Sequence, residues 1–78
     1  MKEKILTLAD IAIGKEVVFV SIAGGKTSKR RLADMGLNEG VRFKVLQSHK
    51  GGPCVIMVGS IRLALGFKMA QKVLVKNV

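Results

Sequence analysis

The sequence predicts a mainly β protein: a small, partly open five-stranded barrel with one helix inserted after the first strand. Three observations carry this. Apolar residues make up 49% of the 78 residues, enough for a core in a chain with room for one domain, residues 1–78. Nine glycines and one proline supply many tight turns, which suit short strands better than a helix bundle. The β-branched runs between those turns are short, and short apolar strands bury their unpaired edges most simply by curling round on themselves.

Each element has its own warrant. Thr7-Leu8-Ala9-Asp10 has the form of a capping box, a hydroxyl followed three residues later by an acid. It predicts one helical turn with Leu8 and Ile11 tucked inward and Gly14 ending it. "KEVVFVSIA", residues 15–23, reads as a strand with Val18, Val20 and Ile22 on one face and Val17 and Phe19 on the other. Two apolar faces imply a central strand or one within a closed barrel. After Gly24-Gly25, Thr27 or Ser28 is expected to cap a helix running to about Met35. Gly36 supplies the left-handed position that ends it, and Leu37 folds back on Leu32.

Asn38-Glu39-Gly40 then turns the chain into "VRFKVLQ", where Val41, Phe43 and Val45 alternate with Arg42 and Lys44. One side of this strand is apolar and the other solvated. The loop "SHKGG" leads to "PCVIMV", with Pro53 at the strand's start, where its missing N–H does little harm. Gly59-Ser60 suits a two-residue hairpin turn of the II′ kind, returning as "IRLAL". "FKMAQ" predicts a single helical turn before "KVLVK" completes the sheet.

Charge is lopsided, with 14 basic residues against 5 acidic ones and a net charge of +9. No acidic residue follows Glu39. Such a field favours acidic partners, nucleic acid or an anionic membrane face. A single cysteine, Cys54, excludes an intramolecular disulfide, so nothing marks the chain as secreted. In "MKEKILTLADIAIG" the apolar run is too short for a signal peptide and Asp10 interrupts it. No stretch is long enough to cross a bilayer. The expected location is the cytoplasm.

Gly24-Gly25-Lys26-Thr27, set between a strand and a helix, looks like the back half of a phosphate-binding loop. A complete loop needs a glycine five residues before Gly25, and Val20 stands there. An Asp ending a second apolar strand is also missing, since "PCVIMVGS" ends in Gly-Ser. Nucleotide hydrolysis is therefore set aside. Lys26, Lys29 and Arg30 are spaced to share one helix face, with Arg31 beside them. Lys29, Arg30 and Arg31 are expected in the helix's first turn, where cations oppose the dipole. Two readings stay open for this face: a solvated, solubilising surface, or a docking patch for an acidic partner.

Other chemistry finds little support. His49 and Cys54 flank one loop, but two ligands fall short of the three or four a zinc site uses, so no metal or cofactor is expected. Cys54 reads as a small buried apolar residue and His49 as a loop-tip residue. Met1, Met35, Met57 and Met69 read as an initiator plus core filler. With one histidine and no orienting acid near it, no nucleophilic enzyme is expected. A basic barrel suits nucleic acid. Yet base stacking needs aromatic rings, and the chain has only Phe19, Phe43 and Phe67.

The run "RRLADMGLNEGVRFKVL", then "GGPCVIMV", then "IRLALGFKMAQKVLV" resembles the FeoA family, the small ferrous iron transport A proteins. The resemblance is carried by Arg31, Leu32, Gly36, Leu37, Gly40, Gly52, Pro53, Leu65, Ala70 and Val75, with Leu8 and Gly14 fitting the family's opening. Asn38-Glu39-Gly40 departs from the Pro-Gly many members carry, which alters the stiffness of the turn. The resemblance implies an SH3-like barrel and an accessory protein rather than an enzyme. It implies a partner in FeoB, the membrane ferrous transporter with a cytosolic G-protein domain, and a place at the inner membrane face through that partner. A related barrel forms the C-terminal module of iron-dependent repressors; this sequence shows no helix-turn-helix.

Docking is thus expected through Lys26, Lys29, Arg30 and Arg31 on the helix and Arg42 and Lys44 on the adjoining strand. Leu32, Gly36 and Leu37 are expected to support that helix. Association with further copies of the chain is left open. The alternative is a basic small-barrel nucleic-acid-binding protein.

Overall fold

A computed structural model describes residues 4–48 and 51–78. In chain order the strands are β1 (Leu6–Thr7), β2 (Glu16–Ile22), β3 (Arg42–Ser48), β4 (Cys54–Val58), β5 (Ile61–Leu65) and β6 (Val73–Asn77). Helix α1 (Lys26–Asp34) follows β2, and α2 (Phe67–Lys72) precedes β6. All five expected strands form. The sixth, β1, is a two-residue addition that pairs Leu6 with Val75 and Thr7 with Leu74. No propensity marks so short a strand; it exists because β6 offers it an edge.

The sheet is antiparallel throughout, in the order β1-β6-β2-β3-β4-β5. β2 is central in an open sheet, the first of the two positions its apolar faces allowed. No ladder joins β1 to β5 among the described residues, so the sheet curls without closing. One core nevertheless gathers Leu8 beside one end strand and Leu65 from the other. The curl brings them together.

Two β-bulges set which side chains reach that core. In β2 the register against β6 shifts between Phe19 and Ser21. Val17 and Phe19 are buried, and without the shift Ser21 would follow them inward. The extra residue instead brings Ile22 opposite buried Val73, where it packs against the core. Ile22 therefore does not share the face of Val18 and Val20, contrary to strict alternation. A matching shift in β3, between Val45 and Gln47, turns Gln47 outward and sets Ser48 opposite Cys54.

The turns follow their residues. Gly59 has φ +61° and Ser60 is not in the positive-φ region, as a II′ hairpin requires. Gly40, at φ +88°, closes the 38–41 turn, with the Val41 N–H donating to the Asn38 carbonyl at 3.0 Å. The segment after β1 forms a 3-10 turn over Leu8–Asp10, with Leu8 and Ile11 buried. Its expected capping box does not form. Thr7 makes no side-chain cap, and tight burial of Leu8 holds the turn instead. α2 packs on this turn and buries Ala70, closing one end of the curled sheet.

Candidate docking surface

α1 begins two or three residues earlier than its hydroxyl residues suggest. Gly25, with φ −79° and ψ 169°, occupies the N-cap and contributes no side-chain cap. Thr27 and Ser28 therefore lie inside the first turn. The shift also moves the cations. Lys26 is the first helical residue, Lys29 and Arg30 fall mid-helix, and Arg31 lies in the last turn, where the dipole favours positive charge. The expected clash between dipole and charge is thus confined to Lys26.

The helix ends as Gly36 dictated. Gly36 has φ +94°; its N–H donates to the Ala33 carbonyl at 3.0 Å, and the Leu37 N–H donates to the Leu32 carbonyl at 2.8 Å. This paired closure satisfies two of the carbonyls that a helix end leaves free. Leu32 is the one fully buried residue of α1, and Leu37 is buried beside it in the core. Together they pin the helix by its apolar side. Lys26, Lys29, Arg30 and Arg31 are all exposed.

Arg42 and Lys44 are exposed on β3, while Phe43 and Val45 point inward. Lys44 lies opposite Glu16 of β2, so a carboxylate on the same face offsets it; Arg42 lies opposite Val18. β3 pairs with β2 only over Glu16–Val18, and α1 packs beside β2. The two cationic groups lie on elements that both adjoin β2 and are joined in sequence by the 35–41 connection.

The Gly24-Gly25-Lys26-Thr27 junction does not sit in the setting of a phosphate-binding loop. Every strand pairing is antiparallel, whereas a phosphate-binding loop sits in a strand–loop–helix unit of a parallel sheet. Cys54 is buried, and burial pushes its thiol above the ordinary value, with a Ser48 side-chain hydrogen bond opposing the shift. Such a thiol is unreactive. His49 and Lys50 lie outside the described residues, as does Met1. Among the described residues no group of three or more His, Cys, Asp or Glu converges on a metal-sized space. Phe19 and Phe43 are buried and Phe67 is half-buried. Met35, expected as core filler, is instead 38% exposed at the end of α1. Met69 does pack against the core.

Two surface features were not foreseen. A cavity of about 700 Å³ lies between the 7–13 segment, Ser48 and α2, lined by Asp10, Ile13, Phe67 and Gln71 among others. A narrower groove runs along the outer face of β2 under α1, in two lobes of about 260 and 320 Å³ that share Phe19, Val20 and Glu39. Val18 and Val20 carried its signal, as the second apolar face of a central strand.

The sequence profile of the FeoA domain matches residues 6–77. A protein of Methanocaldococcus jannaschii, described as a candidate Fe(2+) transport protein A, is 33% identical over 64 residues, covering 82% of this chain and 77% of its own. The crystal structure of an iron uptake regulatory protein, FeoA, aligns with a TM-score of 0.87 at 35% identity over 96% of this chain and all of its own. FeoA of Stenotrophomonas maltophilia, complexed with zinc, aligns at 0.77 with 25% identity over 90% of this chain and 88% of its own. That protein is described as an SH3 domain protein and a candidate ferrous iron transport activating factor. A manganese-dependent transcriptional repressor shares the fold at 0.88, with 20% identity, over all of this chain and 44% of its own.

Proposed function

Because this chain belongs to the FeoA family, we propose that it serves ferrous iron transport as an accessory protein that docks on the cytosolic G-protein region of the membrane transporter FeoB. The family's relatives carry the iron connection in their descriptions, as transport protein A and as an activating factor. No helix among the described residues is long and apolar enough to cross a membrane. The fold is SH3-like, a class of small barrel that presents side chains on a rigid frame.

One observation carries the docking reading. Leu32 and Leu37 anchor α1 to the core, so that Lys26, Lys29, Arg30 and Arg31 project from a helix that is held, not floating. Fixed cations steer and orient an acidic partner without paying for loop ordering. Arg42 extends the surface beyond β2. The test is a pull-down of the transporter's cytosolic domain with the wild-type chain and with Lys29→Glu/Arg30→Glu. Loss of capture with an unchanged melting curve supports the reading; unchanged capture refutes it. A gel shift with nonspecific RNA at physiological salt separates it from nucleic-acid binding.

A further inference from the structure

We infer that the groove on the outer face of β2 is a binding site for a short apolar peptide segment flanked by carboxylates. It exists because β2 outruns β3. Beyond Val18 the ladder to β3 ends, and Phe19 completes it with two backbone bonds to the 40–41 turn, each 2.9 Å. α1 lies over part of that outer face, with Lys29 and Ala33 lining one lobe. The result is a trough with a floor of Val18 and Val20 and a wall of Ala33. Half-exposed Ile5 stands at one end.

Charge selects the occupant. On the sheet, Arg42 of β3 and Lys76 of β6 lie directly opposite Val18 on either side, so the apolar floor is flanked by two cations. Lys29 of α1 lines the other lobe. An apolar floor between cationic posts fits a segment whose hydrophobic side chains insert while its carboxylates meet the rim. Lobes of about 260 and 320 Å³ sit at or below the lower end of small-molecule sites, roughly 300–1,000 Å³, and suit single anchoring side chains. Glu39 lines both lobes and repels any anion running their length, so the occupant's carboxylates are confined to its flanks, beside the cations. A peptide can place its charges so; a nucleic acid, charged at every residue, cannot.

This inference deepens the docking reading, resting on it for the identity of the natural partner but not for the groove's chemistry. The test titrates the full-length, 15N-labelled chain with an acetylated Glu-Leu repeat peptide, its Lys-Leu counterpart and oligouridylate, following amide shifts. The Glu-Leu peptide is expected to move Val18, Val20, Ala33 and Gly40 selectively. Ala33→Glu, a helix-compatible change that places a carboxylate in the trough, is expected to abolish those shifts; Val20→Asp serves as a second variant. Reversing Lys29 and Arg42 together is expected to weaken the peptide about fivefold, the scale of two exposed charge pairs. No shifts, scattered shifts, an equal response to Lys-Leu, or a stronger one to oligouridylate overturns the inference. The transporter's cytosolic domain forms a separate arm. Equal binding to wild type and Ala33→Glu removes the groove while docking stands, and peptide binding without domain binding does the reverse.

Discussion

The backbone N–H of Leu37 donates to the carbonyl of Leu32 at 2.8 Å, and both side chains are buried in the core. This one closure decides where the cationic helix ends and which of its sides faces water. It couples surface to core: whatever loosens Leu32 or Leu37 also frees the cations.

Leu32→Gln is the direct test of that coupling. The buried site offers no room for a free amide, so the cost combines lost packing with an unsatisfied polar group, about 3 kcal/mol. Urea unfolding should show the midpoint falling accordingly, while Lys29→Gln on the exposed side should leave it nearly unchanged. Equal midpoints for Leu32→Gln and wild type would place Leu32 elsewhere.

Gly36 is needed for its backbone and not for its size. A Cβ there meets nothing within 4 Å, yet φ is +94°. Gly36→Ala should therefore cost about 1 kcal/mol through strain. A thermal melt lowered by a few degrees is expected, with no change in the sheet's circular dichroism.

Gly25 presents the opposite case. Its φ of −79° suits any residue, no atom lies within 4 Å of a built Cβ, and it leaves α1 without a side-chain cap. Gly25→Asp should supply both a hydrogen-bond acceptor and a favourable charge at the positive end of the helix. A gain of about 0.5–1 kcal/mol in unfolding free energy is expected.

Cys54 makes stability pH-dependent at the alkaline end. Burial raises its thiol above the ordinary value of 9.0, so the folded state keeps the proton after the unfolded chain has lost it. The unfolded state then binds fewer protons, and stability falls as pH rises. The contribution is complete below the ordinary value and is lost as pH climbs toward the folded one. Between about pH 8 and about pH 10, bracketing the ordinary thiol range, the urea midpoint of wild type should drop further than that of Cys54→Ala. Parallel curves for the two proteins would show that the thiol is not shielded.

What residue type alone could determine about this protein was local. The five main strands, the Gly36 stop, the hairpin at Gly59 and the exposed Arg42 and Lys44 all follow from side-chain branching, backbone freedom or alternation, which act within a few residues. The resemblance to the FeoA family was legible for the same reason, in glycines and leucines at fixed spacings. Tertiary structure decided the rest. The start of α1 at Gly25, against the pull of Thr27 and Ser28, moved the cations along the dipole. The bulge at Val20 sent Ile22 inward, because burying an isoleucine opposite Val73 outweighs an unbroken ladder. The groove under α1 arises where β3 stops short of β2. None of these is a preference of any one residue: each is set by which distant strand lies alongside, a choice made only when the whole core closes.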